Sequence, residues 1–120
     1  MEYQKYVVHC LSNSELTNLL PDGRVFRIKA SKTHGIPYCT YHFYDEAVSF
    51  SAEGKEKRTK YYIQIDINSN GDFTEIEKAI RKIAKENNWS KGAIYEDIDP
   101  DTNLMFKCMR FSFELNTEEV

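Results

Sequence analysis

Between Tyr61 and Ala84 the spacing of apolar residues changes period once, and that change constrains the fold more than any other feature of the chain. Tyr61, Ile63, Ile65 and Ile67 alternate with Tyr62, Gln64 and Asp66, so this stretch presents one apolar face as a strand. After the polar turn Asn68 to Gly71, Ile76, Ala79, Ile80, Ile83 and Ala84 recur at the spacing of a helical stripe. Asp72 followed three residues later by Glu75 marks a helix start, Glu77 and Arg81 form a pair one turn apart, and Asn87-Asn88 supplies a left-handed stop. The pattern predicts a helix from Asp72 to Asn87. A strand and a helix with one apolar face each must pack against one another or against a third layer.

The flanking segments extend this picture. Tyr3 to Leu20 reads as two helical pieces interrupted at Ser12-Asn13, the second capped by Asn13 or Ser14 and ended by Pro21-Asp22-Gly23. Phe26, Ile28 and Ala30 alternate with Arg27 and Lys29 as a strand, Ser31 to Pro37 reads as a loop, and Tyr38 to Tyr44 is a second, aromatic-rich strand. Asp45 to Lys60 has few apolar residues and five charged ones between Glu53 and Arg58, which predicts an exposed, mobile loop at about 45–60. Gly92 to Glu96 gives a short strand. Leu104 to Leu115 gives the last, with Met105, Met109, Phe111, Phe113 and Leu115 on one face. The expected class is α+β: a mostly antiparallel β-sheet with one long amphipathic helix packed on a face and a short N-terminal helical segment, in a single domain over residues 1–120.

Composition bears mainly on what the chain does not do. Sixteen Lys and Arg against nineteen Asp and Glu give a net charge of -3, which argues against a polyanion partner held by counterion release. No apolar run approaches the ~20 residues of a membrane span, and the start has no basic segment followed by an apolar one as a secretion signal would. Cys10, Cys39 and Cys108, odd in number and widely spaced, read as free thiols.

One motif stands out. Asp66 to Glu77 satisfies the calcium-loop pattern, with Asp66, Asn68, Asn70 and Asp72 at positions 1, 3, 5 and 7 and Glu77 at position 12. The pattern requires a helix on each side, and Lys60 to Ile65 has the period of a strand. A polar turn that ends a strand and starts a helix accounts for the same residues. His9, His34 and His42 stand in no context that would join them to a cysteine as a nucleophile and base, so no catalytic residue is assigned. The tyrosines of Tyr38 to Tyr44 would suit a ferredoxin-like domain that stacks nucleotide or RNA bases, but the charge is unfavourable and packing within the sheet is the simpler use.

Taken in order, four stretches carry a wider resemblance. They are Ser14 to Leu20 running into Gly23-Arg24-Val25-Phe26; Ile36-Pro37-Tyr38-Cys39-Thr40-Tyr41; Tyr62 to Ile67 continuing through Gly71 to Glu77; and Tyr95-Glu96 through Asp99-Pro100-Asp101-Thr102 to Met109-Arg110-Phe111-Ser112-Phe113-Glu114. In this order the chain resembles the phage tail-completion proteins, also called tail-terminator or head–tail joining proteins. The resemblance implies a non-enzymatic structural protein without a cofactor. It would self-associate into a ring, typically a hexamer, that caps the tail tube protein and meets the head–tail connector protein, in the host cytoplasm during assembly and then at the virion head–tail junction. The mixed charges Glu53, Lys55, Glu56, Lys57 and Arg58 are the expected intersubunit or partner interface. A calcium-binding module and a nucleotide- or RNA-binding domain are the alternatives.

Overall fold

The alternation at Tyr61 to Ile67 forms the middle of a five-stranded sheet in a computed structural model that describes residues 2–117. The elements are α1 (Tyr3–Leu11), α2 (Ser14–Thr17), β1 (Phe26–Arg27), β2 (Tyr38–Ala52), β3 (Lys55–Ser69), α3 (Thr74–Glu86), β4 (Ser90–Ile98) and β5 (Met105–Asn116). The strands lie in the order β1-β2-β3-β5-β4, with β1 parallel to β2 and the other pairs antiparallel. The class is therefore α+β with a mostly antiparallel sheet. The central strand buries Tyr61, Ile63, Ile65 and Ile67 alternately, and β5 opposes them in register with Phe113, Phe111, Met109 and Lys107.

The helices cover this apolar face. Ile76, Ala79, Ile80, Ile83 and Ala84 of α3 join Val7, Cys10 and Leu11 of α1, and Leu16 of α2, in one core with the sheet residues. The expected single long helix is not present: the three helices are short, and α3 has 13 residues. The apolar stripe is real, but it spans only the turns from Ile76 to Ala84. Asp72 does not cap α3 as expected; its carboxylate accepts the N–H of Thr74 at 2.8 Å in a tight turn, and the boundary residue is Phe73, which has no side-chain cap bond. The other end behaves as the sequence indicates, with Asn88 at φ 59°. At the N-terminus the Asn13 side chain accepts from Glu15 N–H at 2.9 Å and opens α2.

Two segments depart further from expectation. The strand anticipated over Phe26 to Ala30 is only two residues long, because Ile28 takes φ 67°, a left-handed backbone that turns the chain out of the sheet. The loop anticipated over Asp45 to Lys60 is instead the outer half of a long hairpin, joined by Glu53 (φ 54°) and Gly54 (φ 74°). Positive φ at both turn residues matches the twist of the paired strands. The reason the sequence misleads here is geometric: the hairpin projects past the helices, so its outer part needs no buried face and shows no apolar alternation. The projection stretches the molecule to 51 × 27 × 26 Å.

Candidate functional site

The projecting hairpin is the candidate site. On the far side of β2, β1 pairs only with Thr40 and Tyr41, so the outer edge of β2 beyond Tyr41 has no strand partner among the described residues. Its other edge pairs with β3, and β3 pairs with β5 only as far as Arg58 opposite Asn116. Beyond that point, from Ser51 to Glu56, the arm is two strands wide, whereas at Val48 and Phe50 β5 still flanks β3. Register shifts between Phe43 and Asp45, Val48 and Phe50, and Phe50 and Ser51 bend and twist it. They also place Val48 opposite Thr59 but Phe50 opposite Arg58, so the two residues emerge on different faces of the arm, 59% and 56% exposed. An unpaired edge flanked by exposed large apolar side chains is the kind of surface that native proteins cover with a partner.

The five charged residues assigned from sequence divide along this arm. Glu53 is at the turn, Lys55 opposes Ala52, and Lys57 lies on the exposed stem of β3. Glu56 accepts a bond from the Thr59 hydroxyl at 2.9 Å. Arg58 is held at the base, 3.6 Å from the Glu114 carboxylate and donating to Asn116 Oδ1 at 3.0 Å. Val48 and Phe50 were not singled out from the sequence. The available signal was the presence of two large apolar residues, Val48 and Phe50, within an otherwise polar segment.

The residues of the calcium pattern are not brought together. Asp66 and Asn68 lie on the β3 face opposite the core, Asn70 is in the turn, and Asp72 holds Thr74. Glu77 is on the helical side of the sheet, bound to Lys107 at 2.6 Å and Arg81 at 2.9 Å. Lys107 opposes Ile67, on the core face, so Asp66 and Glu77 are separated by the sheet itself. Among the described residues no group of three or more His, Cys, Asp or Glu could hold a metal ion. Millimolar calcium is expected to leave the thermal midpoint unchanged; a bound site at a hundredfold excess over its dissociation constant would add ~2.7 kcal/mol and be plain in a melting curve.

Glu77 instead ties α3 to the sheet. Burial raises its pKa, but hydrogen bonds from Lys107 and Arg81 outweigh this and hold it below the ordinary 4.5. Its contribution is thus fully present above that ordinary value and is lost as pH falls through the lower folded-state value. The gap in urea midpoint between the parent protein and Glu77→Gln is expected to close across that acid window. A gap that stays constant into acid would show that the charge on Glu77 does not act in folding.

Among the described residues no cysteine is hydrogen-bonded to a histidine. Cys39 is fully buried, and burial first, then the Asp66 charge, push its thiol up to about 12. Burial likewise raises Cys10 and Cys108. His34 lies against the Tyr38 ring at 4.1 Å, with Nδ1 2.9 Å from the Gly35 carbonyl. On the uncovered sheet face Arg110 stands over Tyr44 at 4.7 Å, and Lys60 stands 5.3 Å from the centre of the Tyr62 ring, so both rings already have cations. Compared with known proteins, the chain matches no family model and no curated relative.

Proposed function

We propose that the protein is a structural component of a phage or prophage particle that forms a ring on the tail tube and joins it to the head connector. The observation that carries this reading is the arm: a preformed β projection whose outer β2 edge has no strand partner among the described residues, with Val48 and Phe50 exposed on it. A preformed arm loses little conformational entropy on docking, so its contacts count almost fully toward assembly. A closed ring requires head-to-tail contacts in which one patch meets a different patch of the next subunit, and an arm extending from one end of the sheet suits such a contact. The order of elements along the chain, which resembles the tail-completion proteins, supports the same reading. Six subunits, the tail tube protein and the connector protein are what that resemblance implies as partners.

The test is the double variant Val48→Asp, Phe50→Asp. Both side chains are exposed, so the monomer is expected to fold with an unchanged melting midpoint. The expected result is loss of ring formation in light scattering with tail tubes present, and loss of tail joining in a complementation assay. Infectious particles at normal titre from the double variant would overturn the assignment of the arm.

A further inference from the structure

The sheet face turned away from the helices carries a cavity of about 440 Å³ whose chemistry is separate from that of the arm. Asp66, Gln64 and Asn68 of β3 form its floor, and Tyr38, Tyr95 and Phe106 contribute aromatic surface. The Tyr95 and Phe106 rings meet at 80° with centroids 6.5 Å apart, making a corner rather than a stack.

Asp66 is held in place with care. Gln64 Nε2 donates to its two oxygens at 3.0 and 3.2 Å, while Gln64 Oε1 accepts from Arg110 Nε at 3.0 Å, which fixes the amide the right way round. The Cys108 thiol also donates to the carboxylate, which retains further lone-pair capacity. Yet among the described residues Asp66 forms no ion pair: Arg110 is committed to Gln64 and to the Tyr44 ring. Nor, among the described residues, does any cation stand over the Tyr38, Tyr95 or Phe106 ring. The site therefore combines a positioned carboxylate outside any ion pair with ring faces of negative potential, which is the complement of a cation.

We propose that this cavity binds the guanidinium group of an arginine side chain presented by a partner protein, with Asp66 as counter-ion and the Tyr95–Phe106 corner as its aromatic wall. A guanidinium is flat and weakly hydrated, so it lies against a ring and donates to a carboxylate at once, whereas an ammonium is more strongly hydrated and lacks the flat face. Lys29, the one cationic side chain lining the cavity, forms no ion pair with Asp66 among the described residues, and the Lys29→Ala variant separates its charge from that of the carboxylate. A protein segment is favoured over a free amino acid because Ile28, 65% exposed, and Tyr95, 46% exposed, also line the cavity and offer apolar surface for a polypeptide to cover. The inference does not depend on ring formation, and its test needs only the isolated protein.

That test titrates the protein with N-acetyl-arginine amide and follows the ring proton resonances of Tyr38, Tyr95 and Phe106. Capped citrulline, of the same shape without charge, capped lysine and free arginine are run in parallel. Saturable shifts are expected with capped arginine, with citrulline and lysine about tenfold weaker or worse. Asp66→Asn is expected to abolish them and Lys29→Ala to leave them intact. Should Asp66→Asn not fold, Tyr95→Leu, at an exposed position, is expected to weaken binding by about tenfold. Equal response to arginine and citrulline, equal response to lysine, or retention in Asp66→Asn would overturn the proposal. Free arginine binding more tightly than the capped form would assign the cavity to a small-molecule ligand and overturn the partner-protein reading.

Discussion

Ile80→Ala is expected to cost about 2–5 kcal/mol, a large part of the ~5–15 kcal/mol that holds a domain of this kind together. Ile80 is fully buried on α3, in the core cluster that also holds the sheet residues Ile65, Met109 and Phe111. Removing three carbons there forfeits their transfer energy and leaves a cavity that the surrounding strands close only in part. Lys82, two residues on, points to solvent and reaches Glu15 at 2.8 Å, an exposed pair of little net value. Lys82→Ala is therefore expected to leave the urea midpoint almost unchanged. Equal midpoints for the two variants would mean that α3 does not bury the face described.

A second large loss is expected at Trp89, the sole tryptophan. It follows the left-handed Asn88, and its N–H bonds back to the Ala84 carbonyl at 2.8 Å, so the end of α3 turns the indole inward. There it lies against Phe113 at 5.4 Å and Phe111 at 5.9 Å, and Nε1 donates to the Tyr6 hydroxyl at 3.0 Å. One side chain thus joins α1, the end of α3 and β5. Trp89→Ala is expected to cost about 3–5 kcal/mol, read from the denaturant midpoint by circular dichroism. Trp89→Phe keeps most of the ring contact and gives up the bond to Tyr6, so its loss is expected to be clearly smaller. If phenylalanine were as damaging as alanine, the hydrogen bond to Tyr6 would outweigh the packing.

These two sites also differ in how far the sequence reveals them. Ile80 belongs to a repeating stripe, and repetition is what makes a buried face visible without coordinates. Trp89 stands outside any period, next to a helix stop, and its neighbours Tyr6 and Phe113 are far from it in the chain. The candidate sites divide in a similar way. The charged residues of the arm were visible as a cluster, but their segment read as a loop because strands with two solvated faces carry no alternation. The calcium pattern was visible residue by residue. What it omitted was that alternate positions on a strand point to opposite faces, which sets Asp66 apart from Glu77.

By itself, then, the sequence determined the α+β class, the central strand, the position of the amphipathic helix, the two N-terminal helical pieces and the stop at Asn88. Each depends on interactions within a few residues: a periodic apolar face, a capping side chain or a left-handed backbone position. Only the tertiary structure decided that Asp45 to Lys60 is a strand hairpin, that Ile28 ends β1 early, and that Asp66 lines a cavity with aromatic walls and enters no ion pair among the described residues. Those outcomes depend on which strands lie side by side and what covers each face, and such long-range pairing leaves no local period in the chain.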